Sequence, residues 1–433
     1  WCDNMKDRDT TVLDRRTFTT ALGTGAAAAL AGCSTGILST GKSSGVATLE
    51  AAGWGEGVER EIVTGIMRDY DRSHENTRVS YRGIPGNYES TMKTLFAGGT
   101  EPDVFYLAGE RCVPYMKNDA LLDLTPYIED ARNYDTDDLL DNLLSVFQYE
   151  GGIYGIPKDF TSIGLYYNES HLEKAGVSGS LETWDDLRSA LERIKARTPV
   201  EYPMAFNSQP RQTVFPFIFL NGGRVLTDDQ TECVIGSKEA VEALEFVVGL
   251  HDDGLAGLYS DEISVSWEGP ALGEGLTSTA MSGAWVVPTL REEYGKTYES
   301  IKMVERMPLP PGGEQTTMLL TTAWAPSATP DSEKAAAELI KALTSKQGMW
   351  QWAKTGIALP ARQSLLDKPY YENHPILTNL AEFAEGGTPF NFGLHHTRIT
   401  NTILSEVEGA LTGVKSADAA LKSAERLINN NIL

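Results

Sequence analysis

Apolar residues recur along this chain with two alternating periods, and that alternation predicts an α/β fold. Between Val58 and Ser73, the side chains of Ile62, Val63, Ile66, Met67 and Tyr70 fall on one helical face. Arg78-Val79-Ser80-Tyr81 then reads as a strand. Asp103-Val104-Phe105-Tyr106-Leu107 is a short apolar run of the kind buried in parallel sheets. A further helix opens at Thr183-Trp184-Asp185-Asp186: Thr183 can cap it, Asp186 sits near its positive end, and Leu187, Leu191 and Ile194 turn inward. Ser237 caps another, with Val241, Leu244 and Val248 on one side and Gly254 at its close. A third runs from Ser332 through Leu339 and Leu343. No internal repeat interrupts this order.

The first 45 residues follow neither period. Asp14-Arg15-Arg16-Thr17-Phe18 carries a twin arginine, followed by the small apolar run Ala21 to Leu30 and then Leu30-Ala31-Gly32-Cys33. The run is shorter than the roughly 20 residues that a membrane span needs. A charged start, a short apolar stretch and a terminal cysteine form the pattern of a lipoprotein export signal, with cleavage before Cys33. Residues 1–32 are therefore expected to be a twin-arginine signal peptide. Cys33 is the expected lipid attachment, and residues 33–45, rich in Ser, Thr and Gly, the expected flexible tether.

Length, charge and cysteines narrow the rest. At 433 residues the chain exceeds one ordinary core, so two lobes are expected. Its 37 basic and 60 acidic residues give a net charge of −23, a surface that repels nucleic acid and anionic membrane and suits a halophilic setting. Of the four cysteines, Cys112 and Cys233 are expected to be free and buried. There is no His-Glu-x-x-His, and His395-His396 lacks metal-ligand spacing.

Several segments, in order, resemble the family-1 extracellular solute-binding proteins of ABC importers. Gly98-Gly99-Thr100-Glu101-Pro102-Asp103-Val104 is similar to the family's turn into a buried strand, and Ala108-Gly109-Glu110-Arg111 falls where its maltose-binding member has an acid–arginine pair on sugar hydroxyls. Gly155-Ile156-Pro157-Lys158-Asp159-Phe160 with Gly164-Leu165-Tyr166-Tyr167-Asn168 resembles the interlobe crossover and the strand after it. Met281-Ser282-Gly283-Ala284-Trp285 resembles the segment with a ligand-stacking tryptophan, and Gly356 to Arg362 a late signature. The resemblance, from about Leu49 to the C-terminus, implies a two-lobed periplasmic-binding-protein-like (type II) fold with a hinge and an interlobe cleft. It places residues 46–157 plus 306–345 in one lobe and 158–305 plus 346–433 in the other, with crossovers near Pro157, Arg306 and Ser345. Thr161, Pro210 and Gln212 replace polar family positions, which counts against maltodextrin but not against sugars.

A sugar offers apolar C–H faces and a rim of hydroxyls, so its site needs flat aromatic rings and planar polar groups. The expected ligand-binding residues are Trp54, Tyr81, Glu110, Arg111, Asp159, Phe160, Asn207, Gln212, Trp285 and Trp324. Together with the export signal and Cys33, the resemblance implies a monomeric, lipid-anchored binding protein on the outer face of the cell membrane. It would deliver a sugar or oligosaccharide to the importer's membrane subunits, without cofactor, metal, nucleic acid or catalysis. The alternatives are a secreted glycoside hydrolase, or a binding protein for a polyol phosphate or a peptide.

Overall fold

The computed structural model describes residues 46–55, 58–129, 134–177, 181–384 and 386–433. The expected signal peptide, Cys33 and the tether lie outside the described residues. Its principal strands are β1 (Ala47–Gly53), β2 (Thr77–Gly83), β3 (Val104–Ala108), β4 (Ile156–Ser162), β5 (Gly164–Asn168), β6 (Met204–Phe206), β7 (Ala256–Leu258), β8 (Thr279–Ser282), β9 (Ile301–Met303), β10 (Met318–Pro326), β11 (Leu359–Pro360) and β12 (Thr388–Pro389). The helices that matter below are α1 (Val58–Ser73), α2 (Tyr88–Gly98), α3 (Trp184–Arg197), α4 (Arg211–Leu220), α5 (Lys238–Asp252), α6 (Glu268–Gly273), α7 (Glu333–Leu343), α8 (Lys346–Ala353), α9 (Pro375–Glu382), α10 (His396–Leu411) and α11 (Ala417–Asn431).

Two sheets organise them. The first has seven strands in the order β11-β4-β10-β3-β1-β2, with β12 paired to β10; β2, β1 and β3 run parallel. The second has five, β9-β5-β8-β6-β7, with β8, β6 and β7 parallel. Each sheet has its own core. Leu49, Phe105, Ile156 and Leu339 belong to the first, and Leu165, Leu187, Phe217 and Ile403 to the second.

Local chemistry starts the helices where the sequence reading expects them. Thr183 and Asp186 form a reciprocal capping box at α3, Ser237 caps α5 and Ser332 caps α7. Cys112 and Cys233 are free and buried, one in each core.

The chain passes between the sheets three times: at Ile163 between β4 and β5, at Met318–Leu319 on entering β10, and at Pro389–Phe390. These points differ from Pro157, Arg306 and Ser345. Residues 158–162 stay with the first sheet because β4 pairs with β10 along its whole length. Residues 307–309 stay with the second, where Met307 is core and Leu309 bridges to Thr183. Residues 346–384 pack on the first sheet, with Met349, Trp352, Leu359 and Leu380 in its core. No helix among the described residues is long and apolar enough to cross a membrane.

Candidate functional site

Trp54 leaves the carboxyl end of β1 and sets its ring edge-on against Tyr88 at 5.2 Å and Tyr106 at 5.0 Å. Tyr81 of β2 donates its hydroxyl to the Trp54 carbonyl at 3.3 Å. Only glycine fits at position 53, since a Cβ there would overlap both the Tyr106 ring and the Tyr81 hydroxyl. Four aromatic rings thus gather toward the carboxyl ends of β1 to β3, the edge at which parallel α/β sheets usually bind ligands. Glu59, in the first turn of α1, sits against Gly55. Burial pushes its carboxyl up to about 7, with Lys158 opposing and Asp159 adding to the rise.

Lys158 and Asp159 owe their arrangement to an irregularity in β4. Asp159 pairs with Thr322 and Pro157 with Ala323, so Lys158 is an extra residue in the ladder. A bulge breaks the alternation that would send neighbouring side chains to opposite faces. Lys158 therefore forms a buried ion pair with Asp159, its ammonium 4.3 Å from the Tyr106 ring centre and 4.0 Å from that of Trp352. Trp352 Nε1 donates to Asp159 Oδ2 at 2.7 Å.

After β3, a short turn over Gly109–Arg111 presents Glu110 and Arg111. Both meet groups of the second lobe. Arg211, the first residue of α4, has Nη1 3.8 Å from Glu110 Oε1, and Arg111 Nη1 donates to Thr397 Oγ1 of α10 at 3.4 Å. His396 lies beside both arginines. Its Nδ1 accepts from Phe392 N at 3.2 Å, and burial together with the two guanidinium charges holds the ring down to about 3, so it is neutral.

On the second sheet, β8 ends at Ser282 and the chain turns through Gly283 and Ala284 to Trp285. Buried Glu268 of α6 accepts from Trp285 Nε1 at 2.9 Å and from the Ser282 hydroxyl at 2.7 Å. Thr161 of β4 accepts from Ala284 N at 2.9 Å, tying the first lobe's last strand to this loop. A Cβ at Gly283 would overlap both the Trp285 ring and the Thr161 hydroxyl. Trp285 is partly buried and packs against both cores.

The expected residues divide accordingly. Trp54, Tyr81, Glu110 and Arg111 gather at the first sheet's carboxyl edge, and Trp285 and Gln212 are half-buried on the second lobe, with Asn207 exposed after β6. Three expectations are corrected. Phe160, 1% exposed, is core because its side chain points into the first sheet's packing. Trp324, 4% exposed, is covered by Tyr106 at 4.4 Å. Asp159 is buried, and Lys158 and Trp352 already occupy it.

The sequence reading missed Glu59, Lys158, Arg211 and Glu268. Arg211 left a trace, a cation at the positive end of a helix, and Lys158 another, a lysine directly beside an aspartate within a strand. A cavity of about 1020 Å³ lies elsewhere, lined by Tyr167, Trp184, Phe246 and Met303, and contains none of the expected residues. Among the described residues no group of three or more His, Cys, Asp or Glu could hold a metal ion.

Solved structures share this architecture. An ABC substrate-binding protein from Listeria monocytogenes, in complex with cycloalternan, superposes with a TM-score of 0.78 at 21% identity over 89% of this chain and 99% of that one. Maltose-bound MalE3 of T. maritima superposes at 0.77 and 21% identity over 88% and 98%. Among curated sequences, a binding protein of Brucella abortus is 21% identical over 194 residues, so the chain spans about half (46%) of that relative's length. The xylose/arabinose-binding protein XacG of Haloferax volcanii is 24% identical over 329 residues, 66% of this chain and 70% of that one. The bacterial extracellular solute-binding protein family matches residues 65–379, most of the two-lobed body just described, and the chain belongs to that family.

Proposed function

We propose that the protein binds a sugar or oligosaccharide between its lobes, closes on it and delivers it to an ABC importer. One observation carries this reading: Trp54 at the first lobe's carboxyl edge and Trp285 between the two cores each offer an aromatic surface, and Glu110 and Arg111 of the first lobe meet Arg211 and Thr397 of the second. Rings suit the C–H faces of a pyranose, and planar charged groups suit its hydroxyls. Relatives named for arabinooligosaccharides and for xylose and arabinose support the same ligand class.

Closure would proceed by rotation about the three strand-to-strand crossings, driven only by contacts stronger in the closed state. A micromolar affinity corresponds to about −8 kcal/mol. The twin-arginine segment and Cys33 would place the protein, lipid-anchored and as a monomer, on the outer face of the cell membrane, and the acidic surface would keep it dispersed in high salt. No catalytic step is part of this reading.

Purified protein is tested against an oligosaccharide panel by thermal shift and product chromatography, in high salt. A rise in melting temperature with at least one sugar, lost in Trp54→Ala and Trp285→Ala, is expected without product. Released product would mean a hydrolase, and no shift with any sugar would defeat the reading.

A further inference from the structure

Resting on the sugar-binding reading, we propose that Arg111 and Arg211 select an acidic sugar, one whose carboxylate seats between the two guanidiniums, as a uronate-bearing oligosaccharide provides. Each guanidinium has five donors in a planar fork. Among the described residues Arg111 spends one of them, on Thr397 Oγ1 at 3.4 Å. Arg211 reaches only Glu110, at 3.8 Å, and rests its guanidinium 5.5 Å from the Phe390 ring centre. Its side chain is 32% exposed, against 15% for Glu110. Among the described residues Arg211 thus has one carboxylate at ion-pair distance and Arg111 has none, and most of their donors are unspent.

The surroundings compensate that charge only in part. His396 faces both arginines as a neutral ring and brings no anion. Glu89 of α2 interacts with Arg111 but lies beyond ion-pair distance, and burial raises its carboxyl. On a chain of net charge −23, two arginines, one from each lobe, act together on His396 and make a locally basic spot. Arg211 also opens α4, whose first turn has neither an acidic residue nor a side-chain cap. A cation at that positive end is disfavoured unless an anion joins it.

A carboxylate answers these conditions together. It accepts two parallel hydrogen bonds from a guanidinium fork, neutralises the surplus charge and faces the open end of α4. Neutral hydroxyls can take the donors but leave the charge.

Isothermal titration with matched disaccharides tests the assignment: digalacturonate against α-1,4-galactobiose, and cellobiouronate against cellobiose, in 0.2 M and 2 M salt. The acidic member of at least one pair is expected to bind about ten-fold tighter in low salt, with the preference shrinking in high salt. Arg211→Gln should bring the ratio within about two-fold, and Arg211→Lys should restore part of it, because a point charge lacks the fork. Equal or tighter binding of the neutral member in every pair overturns the acidic-sugar assignment while the sugar reading stands. Binding of no member of either pair overturns it as well, and the oligosaccharide panel then decides the sugar reading separately. The wild-type ratio is decisive even if a variant fails to fold.

Discussion

The two halves of the cleft are built differently. On the first lobe, Trp54, Tyr81, Tyr88 and Tyr106 lean on one another, and a buried charge cluster of Lys158, Asp159 and Trp352 supports them from below. On the second lobe, Trp285 is placed by one hydrogen bond to Glu268 and by the Thr161–Ala284 contact, and Arg211 by a loose ion pair. A surface whose rings hold each other needs no ligand to be ordered, so in the proposed binding cycle it would receive the sugar first. Groups held singly can adjust, which suits the half that arrives on closure. Pre-organisation belongs to the first lobe and adaptability to the second.

The sharpest way to break this contrast is to remove the support under the first lobe. Asp159→Ala leaves Lys158 buried without a counter-charge and Trp352 Nε1 without an acceptor. Breaking a buried pair from one side costs about 3–5 kcal/mol, so denaturant unfolding should show a loss of that size. A cost below about 1 kcal/mol would mean that the cluster is not structural.

The second effect is a pH dependence seated in the same lobe. The Glu59 carboxyl rises from its ordinary 4.5 to about 7 in the fold. A folded acid with a raised value holds its proton more tightly than the unfolded chain. Its contribution is therefore present below pH 4.5 and is lost as pH climbs through about 7. Each unit is worth about 1.4 kcal/mol, so the loss approaches about 3 kcal/mol. Glu59→Gln should flatten that part of the stability curve between pH 4.5 and 7.5, and an unchanged slope would exclude Glu59 as its source.

The smallest effect belongs to the second lobe and should appear in affinity more than in stability. Glu268→Ala removes the acceptor that fixes the half-buried Trp285 ring. Sugar affinity should fall by about ten-fold or more. Glu268→Gln, which keeps an acceptor oxygen, should recover most of it. Equal losses in both variants would tie the effect to charge rather than to placement of the ring.

Local patterning and tertiary structure divide the account of this protein between them. Helical periodicity over Val58–Ser73, the capping residues Thr183, Ser237 and Ser332, and the apolar run at Val104–Leu107 are short-range features, and each is legible because its cause lies within a few residues. Trp54 after β1 was singled out by its flanking glycines and Glu110-Arg111 after β3 by the family resemblance, and the fold puts both at strand ends. Phe160 and Trp324 misled because a large aromatic at a strand has the same local signature in a cleft and in a core. The interlobe crossings shifted because strand pairing, not spacing along the chain, decides where a segment changes sheet.

What only the fold decides are meetings across long separations. A one-residue bulge puts Lys158 and Asp159 on one face under Trp352, and the joining of two lobes brings Arg211 to Glu110 and Thr161 to Ala284. Charge and hydrogen bonding act through space, so the sequence determined which elements form while the packing of two separate cores determined which side chains share a site.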